Sequence, residues 1–214
     1  MLLLYITDRT QFPGDENARQ RALLAKIAEA ARCGLNFIQL REKDLSTRDL
    51  ETLARAARHV VKPPRPGNRE AITRLLINSR SDVALACGAD GVHLPADNLP
   101  PSEVRKIWAK VGHPTRPLIT VSCHSAAEVA QAATEGADFA LFAPVFEKKD
   151  APHASPAGLD RLREACRHKI PVLALGGVTL ETARACVDAG AAGIAAIRLF
   201  QENDIAEVVQ RLKA

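Results

Sequence analysis

No apolar run in this 214-residue chain is long enough to cross a bilayer, and the opening Met1-Leu-Leu-Leu-Tyr-Ile6 is too short for a secretion signal. It runs straight into Thr7-Asp8-Arg9 and reads as a first β-strand. There is no Cys-x-x-Cys pair. The five cysteines (Cys33, Cys87, Cys123, Cys166 and Cys186) are an odd set, most of them in Ala-rich helical text. That argues against a disulfide framework or metal ligands, and for small buried hydrophobes in a reducing cytoplasm. A dense basic run beside aromatics is also missing. The 29 basic and 25 acidic residues are spread along the chain for a net charge of +4, which argues against nucleic acid and for a small anionic ligand. Nor does Gly-x-Gly-x-x-Gly follow the first strand, so the usual mark of an open dinucleotide-binding sheet is lacking. What is present is ordinary globular usage, 47% hydrophobic and 25% charged.

Short β-type runs fall at 2–6, 36–40, 74–77, 90–94, 118–122, 138–142, 171–175 and 192–197. Helical spacing of apolar residues fills 18–33, 46–61, 80–87, 101–110, 125–135, 158–168, 180–189 and 204–213. One phrase recurs at the joints: Cys33-Gly-Leu-Asn36, Cys87-Gly-Ala-Asp90, Glu135-Gly-Ala-Asp138 and Ala189-Gly-Ala-Ala192. Each puts glycine where a helix ends left-handed, with a strand starting soon after. Eight strand–helix units predict a single (β/α)8 TIM barrel over residues 1–214, with an open doubly wound sheet as the alternative. Lys62-Pro-Pro-Arg-Pro-Gly-Asn-Arg-Glu70 reads as a stiff surface loop.

Barrel chemistry collects at the carboxyl ends of the strands. That rule selects Thr7-Asp8-Arg9, Gln39 to Lys43, Asn78-Ser79-Arg80, His93, Asp97-Asn98, Ser122-Cys123-His124, Pro144 to Asp150, Gly176-Gly177 and Arg198. Gln39, Arg41 and Lys43 alternate, so on an extended chain they share one wall carrying two cations, suited to an anionic substrate. A salt-bridge cluster with Glu42 and Asp44 is the plainer alternative. Gly176-Gly177 ends a strand just before Thr179, which can cap a helix. Bare N–H groups there make a phosphate cradle or merely a tight turn. Arg198, read as the end of strand 8, either joins that phosphate or pairs with Glu202. His93 reads as a core histidine, and His124 as acid, base or neighbour of a helix cap. His113 and His153 read as loop residues.

Seven stretches in barrel order carry a resemblance: Tyr5-Ile-Thr-Asp-Arg9, Gln39-Leu-Arg-Glu-Lys-Asp44, Leu76-Ile-Asn-Ser-Arg-Ser-Asp82, Gly88-Ala-Asp-Gly-Val-His-Leu94, Val121-Ser-Cys-His-Ser125, Pro144-Val-Phe146 and Leu175-Gly-Gly-Val-Thr179. Over essentially its whole length the chain resembles thiamine phosphate synthase and its relative TenI. The resemblance implies a barrel that joins an aminopyrimidine pyrophosphate to a thiazole phosphate, giving thiamine phosphate and pyrophosphate with magnesium assisting. It implies that Gln39, Arg41, Lys43 and Asn78 contact the pyrimidine and its pyrophosphate, that Ser122 lines the same site, and that Gly176-Gly177 hold the thiazole phosphate. Ser79 and Pro144 are expected at the substrates, and His124 beside Ser122 in the catalytic group.

The chain also departs from the family pattern. Ser79 and Asn98 stand where synthases carry magnesium-binding aspartates, so a weakened metal site, rebuilt with Asp97 and Asn98, is expected. The family's Thr-x-Thr-Lys loop reads Glu147-Lys148-Lys149-Asp150-Ala151, and Arg198 replaces a strand 8 serine. TenI-type thiazole tautomerases lack those carboxylates, and Pro95 resembles their text. Yet the resemblance puts their catalytic histidine at the position of Pro144, leaving His124 or Glu147 as a proton shuttle. The expectation is a synthase-type enzyme, with a tautomerase and a non-catalytic thiazole phosphate or thiamine phosphate binder as alternatives. The expected partners are small phosphorylated heterocycles, with a homo-oligomer left open.

Overall fold

The computed structural model describes residues 1–61, 73–147 and 155–213. Its strands β1 (Leu2–Ile6), β2 (Phe37–Leu40), β3 (Arg74–Asn78), β4 (Gly91–Leu94), β5 (Leu118–Cys123), β6 (Phe139–Phe142), β7 (Val172–Leu175) and β8 (Gly193–Ala196) each lie within one residue of their expected bounds at both ends. All eight pair in parallel in chain order, and β8 closes on β1. The open sheet is thereby excluded. Around the barrel run α1 (Glu16–Arg32), α2 (Thr47–Val61), α3 (Ser81–Cys87), α4 (Pro101–Lys110), α5 (Ala126–Thr134), α6 (Gly158–Ala165), α7 (Leu180–Asp188), the short α8 (Arg198–Gln201) and α9 (Ile205–Lys213). No helix among the described residues is long and apolar enough to cross a membrane. The loop at 62–70 and residues Lys148, Lys149, Asp150 and His153 lie outside the described residues.

Side chains alternate along each strand, so every strand feeds two cores. Leu4, Ile6, Phe37, Leu76, Leu118, Leu141, Leu173 and Ala195 fill the barrel interior. Their neighbours Leu3, Tyr5, Ile38, Leu75, Ile77, Ile119 and Ala174 pack outward with buried helix residues such as Leu23, Ile27 and Trp108. This parity decides which polar residues point into the mouth. Gly91 and Gly193 start β4 and β8 where the strands crowd: a Cβ on Gly91 would lie 1.8 Å from the Leu118 carbonyl oxygen, and one on Gly193 would lie 1.9 Å from that of Leu2.

At the amino end the recurring phrase does more than turn the chain. Gly34, Gly88, Gly136 and Gly190 all take positive φ. The residue two further on then clamps the preceding strand. Asn36 donates its N–H to the Leu3 carbonyl at 3.1 Å and accepts the Leu3 N–H on Oδ1 at 2.9 Å. Asp90 does the same with Leu75, and Asp138 with Ile119, every bond at 2.8–2.9 Å. In the fourth copy Ala192 has only the backbone half, to the Val172 carbonyl at 2.8 Å.

Arg198 does not end strand 8. That strand stops at Ala196, and Arg198 opens α8, its Nε 3.6 Å from Glu202 Oε1. The chain must leave the barrel to reach α9, and a four-residue helix is too short to announce itself by periodicity. The five cysteines are free; Cys87, Cys123 and Cys186 are buried and Cys33 and Cys166 half-buried. Burial pushes the Cys123 thiol up to about 12 and those of Cys166 and Cys186 to about 11, away from thiolate chemistry.

Candidate active site

Two or four residues beyond the apolar interior layer, the same parity brings Gln39, Asn78, His93 and Ser122 to the carboxyl end of the barrel. Gln39 Nε2 donates to Asn78 Oδ1 at 2.9 Å. Gln39 is 1% exposed, and its Oε1 is the one buried side-chain oxygen or nitrogen among the described residues with no hydrogen-bond partner. A buried acceptor without a donor is costly unless a ligand supplies one. Arg41 follows, its N–H held by Thr7 Oγ1 at 3.0 Å and its side chain near enough to act on His93.

The expected wall of Gln39, Arg41 and Lys43 is cut short. β2 ends at Leu40, and the turn that follows leaves Lys43 exposed rather than in register with Arg41. Glu42 turns inward instead. Its carboxylate takes the Thr7 hydroxyl and the Arg9 N–H, and Arg9 Nη1 at 3.2 Å. Arg9 itself is buried and spans Glu42, Asp44 at 2.6 and 2.7 Å, and Glu16 at 2.7 Å. The ion-pair cluster at this barrel end is therefore built on Arg9, not on Arg41 or Lys43. Burial pushes the Glu42 carboxyl above its ordinary range, whereas hydrogen bonds from Arg9 hold Asp44 and Glu16 below theirs.

His93 is 4% exposed, as a core histidine would be, but it is not inert filling. Nδ1 lies 2.8 Å from Thr120 Oγ1 and Nε2 lies 2.9 Å from Ser122 Oγ. Burial first, and then the Arg41 charge, pushes its pKa down to about 3, so the ring is neutral. Parity with Gly91, two residues earlier, is the signal in the sequence that aims His93 at the mouth.

Ser79 is the one non-glycine with left-handed φ, +65°, among the described residues. Strain of this kind collects at functional sites. Two hydrogen bonds bracket the turn: Ser79 N–H donates to the His93 carbonyl at 2.7 Å and Arg80 N–H to that of Asn78 at 2.8 Å. Asn98 Nδ2 donates to Ser79 Oγ at 2.8 Å, and Asn98 Oδ1 accepts the Leu99 N–H at 2.8 Å. Asp97 beside it is exposed.

Across the mouth, His124 is exposed; its Nδ1 donates to the Ala143 carbonyl at 2.6 Å and its backbone N–H to Glu128 Oε2 at 2.8 Å. Ser125 caps α5. Pro144 follows the Ala143 carbonyl that His124 holds. Gly176 and Gly177 both take positive φ, and a Cβ on Gly177 would come within 2.4 Å of the Glu147 carbonyl oxygen. Only glycine lets the β6 loop lie against this turn, where Phe146 N–H donates to the Gly176 carbonyl at 2.9 Å. Thr179 then caps α7 in a capping box with Thr182.

Fold and mouth together define a (β/α)8 barrel whose polar groups converge at the strands' carboxyl ends, the end where such barrels carry their sites. A family model described as thiamine monophosphate synthase matches residues 3–200, and the chain belongs to that family. A Geobacter sulfurreducens relative is 42% identical over 197 residues, covering 91% of this chain and 84% of its own. The thiamine-phosphate synthase of Methanoculleus marisnigri is 37% identical over 216 residues, covering 99% and 93%. Among solved structures, thiamine phosphate pyrophosphorylase from Pyrococcus furiosus superposes with a TM-score of 0.78 at 29% identity, covering 99% of this chain and 93% of its own. The general role in thiamine biosynthesis follows from this membership.

Proposed function

We propose that the barrel joins a pyrophosphorylated aminopyrimidine to a phosphorylated thiazole, releasing pyrophosphate. The observation that carries this reading is the buried Gln39 Oε1, without a hydrogen-bond partner among the described residues, with Arg41 two positions further along the chain. An exocyclic amino group supplies the donor that Gln39 lacks, and a pyrophosphate supplies the anion that Arg41 faces. In the reaction the bond between the exocyclic carbon and pyrophosphate breaks, with the electron pair leaving on oxygen. The thiazole nitrogen then uses its lone pair to form the new C–N bond. Arg41 neutralises the departing charge and Ser122 hydrogen-bonds to it. Gln39 and Asn78 orient the pyrimidine. The Gly176-Gly177 turn and Arg198 hold the thiazole phosphate, with Pro144 at the ring, and Lys43 adds positive charge at the rim.

The magnesium that the family resemblance brings does not fit the donors at its two positions. Ser79 Oγ already accepts from Asn98 Nδ2, and the Asn98 carbonyl oxygen accepts from Leu99 N–H. Magnesium favours one or two carboxylates, and exposed Asp97 is the one carboxylate on this loop. Among the described residues no three His, Cys, Asp or Glu side chains gather as a metal site. No step above uses the metal.

One observation favours a second reading. His124 Nδ1 donates to the Ala143 carbonyl, one residue before Pro144, which leaves Nε2 as the ring nitrogen available to take up or give a proton. A proton shuttle there serves a thiazole tautomerase. Incubation with both substrates, followed by chromatography, separates the cases. Thiamine phosphate is expected. Proton exchange on the thiazole alone identifies the tautomerase, and binding without either product identifies a non-catalytic binder.

A further inference from the structure

We propose that His93 is a positioning residue that fixes the Ser122 hydroxyl as a hydrogen-bond donor toward the mouth, where it serves an anionic oxygen of the ligand. The direction of each hydrogen bond follows from the number of protons available. A neutral imidazole has one N–H and one lone pair, and here it lies between two hydroxyls. If Ser122 donates to Nε2, then Nδ1–H donates to Thr120 Oγ1, and the Thr120 proton needs another acceptor. Thr120 is fully buried and has no other hydrogen-bond partner among the described residues, so that proton is stranded. In the opposite arrangement every buried proton is used. Thr120 donates to Nδ1, Nε2–H donates to Ser122 Oγ, and the proton left over is that of Ser122.

Ser122 is half-buried at the mouth and has no other hydrogen-bond partner among the described residues. Its proton therefore points to ligand. What it meets must accept, and the Arg41 charge, close enough to act on the His93 ring that holds Ser122, favours an anionic acceptor. The same chain excludes a serine–histidine nucleophile despite the contact: Nε2 carries a proton and Nδ1 is occupied, so His93 cannot draw the proton from Ser122. The tautomer stands on the geometry alone; only the identity of the anion as pyrophosphate rests on the proposed function.

Two measurements on the full chain decide it. Long-range 1H–15N spectra of the labelled protein, with the His93 ring assigned through His93→Gln, should show Nε2 protonated and Nδ1 bare. An Nδ1–H tautomer overturns the proposal whatever the protein binds. Calorimetric titration with inorganic pyrophosphate then tests the coupling. Ser122→Ala should weaken binding roughly tenfold to a hundredfold, as for a hydrogen bond to a charged group. His93→Leu should weaken it as much, with little further loss in the double variant. His93→Gln, whose amide can still donate to Ser122, should retain most of the affinity. Independent, additive losses would mean that His93 does not act through Ser122. If the unsubstituted protein fails to bind pyrophosphate, the proposed function falls while the spectra still decide the tautomer.

Discussion

The two ends of this barrel spend their polar groups differently. At the amino end Asn36, Asp90 and Asp138 each bind both backbone groups of one residue on the preceding strand, pinning the sheet where it begins. At the carboxyl end Gln39 keeps an unpartnered oxygen, Ser79 sits in a strained turn, and Ser122 has a proton to give. One barrel builds both ends, so fold alone does not explain the contrast. Matched groups stabilise; unmatched buried ones imply a ligand.

The largest break should come at the crowded start of β4. Gly91→Ala puts a Cβ 1.8 Å from the Leu118 carbonyl oxygen, so β4 must part from β5. A loss of at least about 3 kcal/mol, or failure to fold, is expected in urea titration. A well-folded variant would show the amino end to be looser than described. Arg41→Ala tests the other end: pyrophosphate affinity should fall about a hundredfold in calorimetry while the urea midpoint barely moves. Unchanged affinity would remove Arg41 from the anion site.

Smaller effects sharpen the contrast. Asp138→Ala removes the acceptor of Ile119 N–H and the partner of Arg105 at 2.8 Å, and about 2 kcal/mol of stability should go without a change in pyrophosphate binding. His93 gives a pH signature. Its pKa is about 3 in the folded protein against an ordinary 6.5, so between these values the unfolded chain holds a proton that the folded one lacks. Its contribution is complete above about 6.5 and declines as pH falls toward 3, with a slope of at most about 1.4 kcal/mol per pH unit. Subtracting the urea-derived profile of His93→Leu isolates this slope from the carboxylates of Glu42, Asp44 and Glu16. The difference should become independent of pH above neutrality; a flat difference below pH 6 would contradict the neutral ring.

Strand positions were legible because alternation marks the strands and, at four joints, a glycine-ended helix marks where the next one begins. Gln39, Asn78, Ser122 and the Gly176 turn were legible for the same reason: a polar residue that ends an apolar strand has one place to go. Lys43 was misplaced because alternation holds only while the chain stays extended, and it bends after Leu40. The partnership of Ser79 with Asn98 was out of reach, since it depends on how the loop after β4 folds back. The clamps were hidden differently. The recurring phrase displays Asn36, Asp90 and Asp138, but their partners lie 15 to 33 positions earlier.

That hidden rule gives the smallest prediction. Ala192 occupies the clamp position in the fourth copy and already donates its N–H to the Val172 carbonyl. What is missing is a side-chain oxygen for the Val172 N–H. Ala192→Asn copies the first joint, where Asn36 makes both bonds to Leu3. Because the backbone half is already in place, the new bond needs one side chain ordered and no strand moved. About 1 kcal/mol of added stability is expected in urea titration, with pyrophosphate affinity unchanged. A gain there would show that β7 enters the barrel as β1, β3 and β5 do. A loss would show that the fourth joint differs in geometry as well as in residue, and that alanine is there for lack of room.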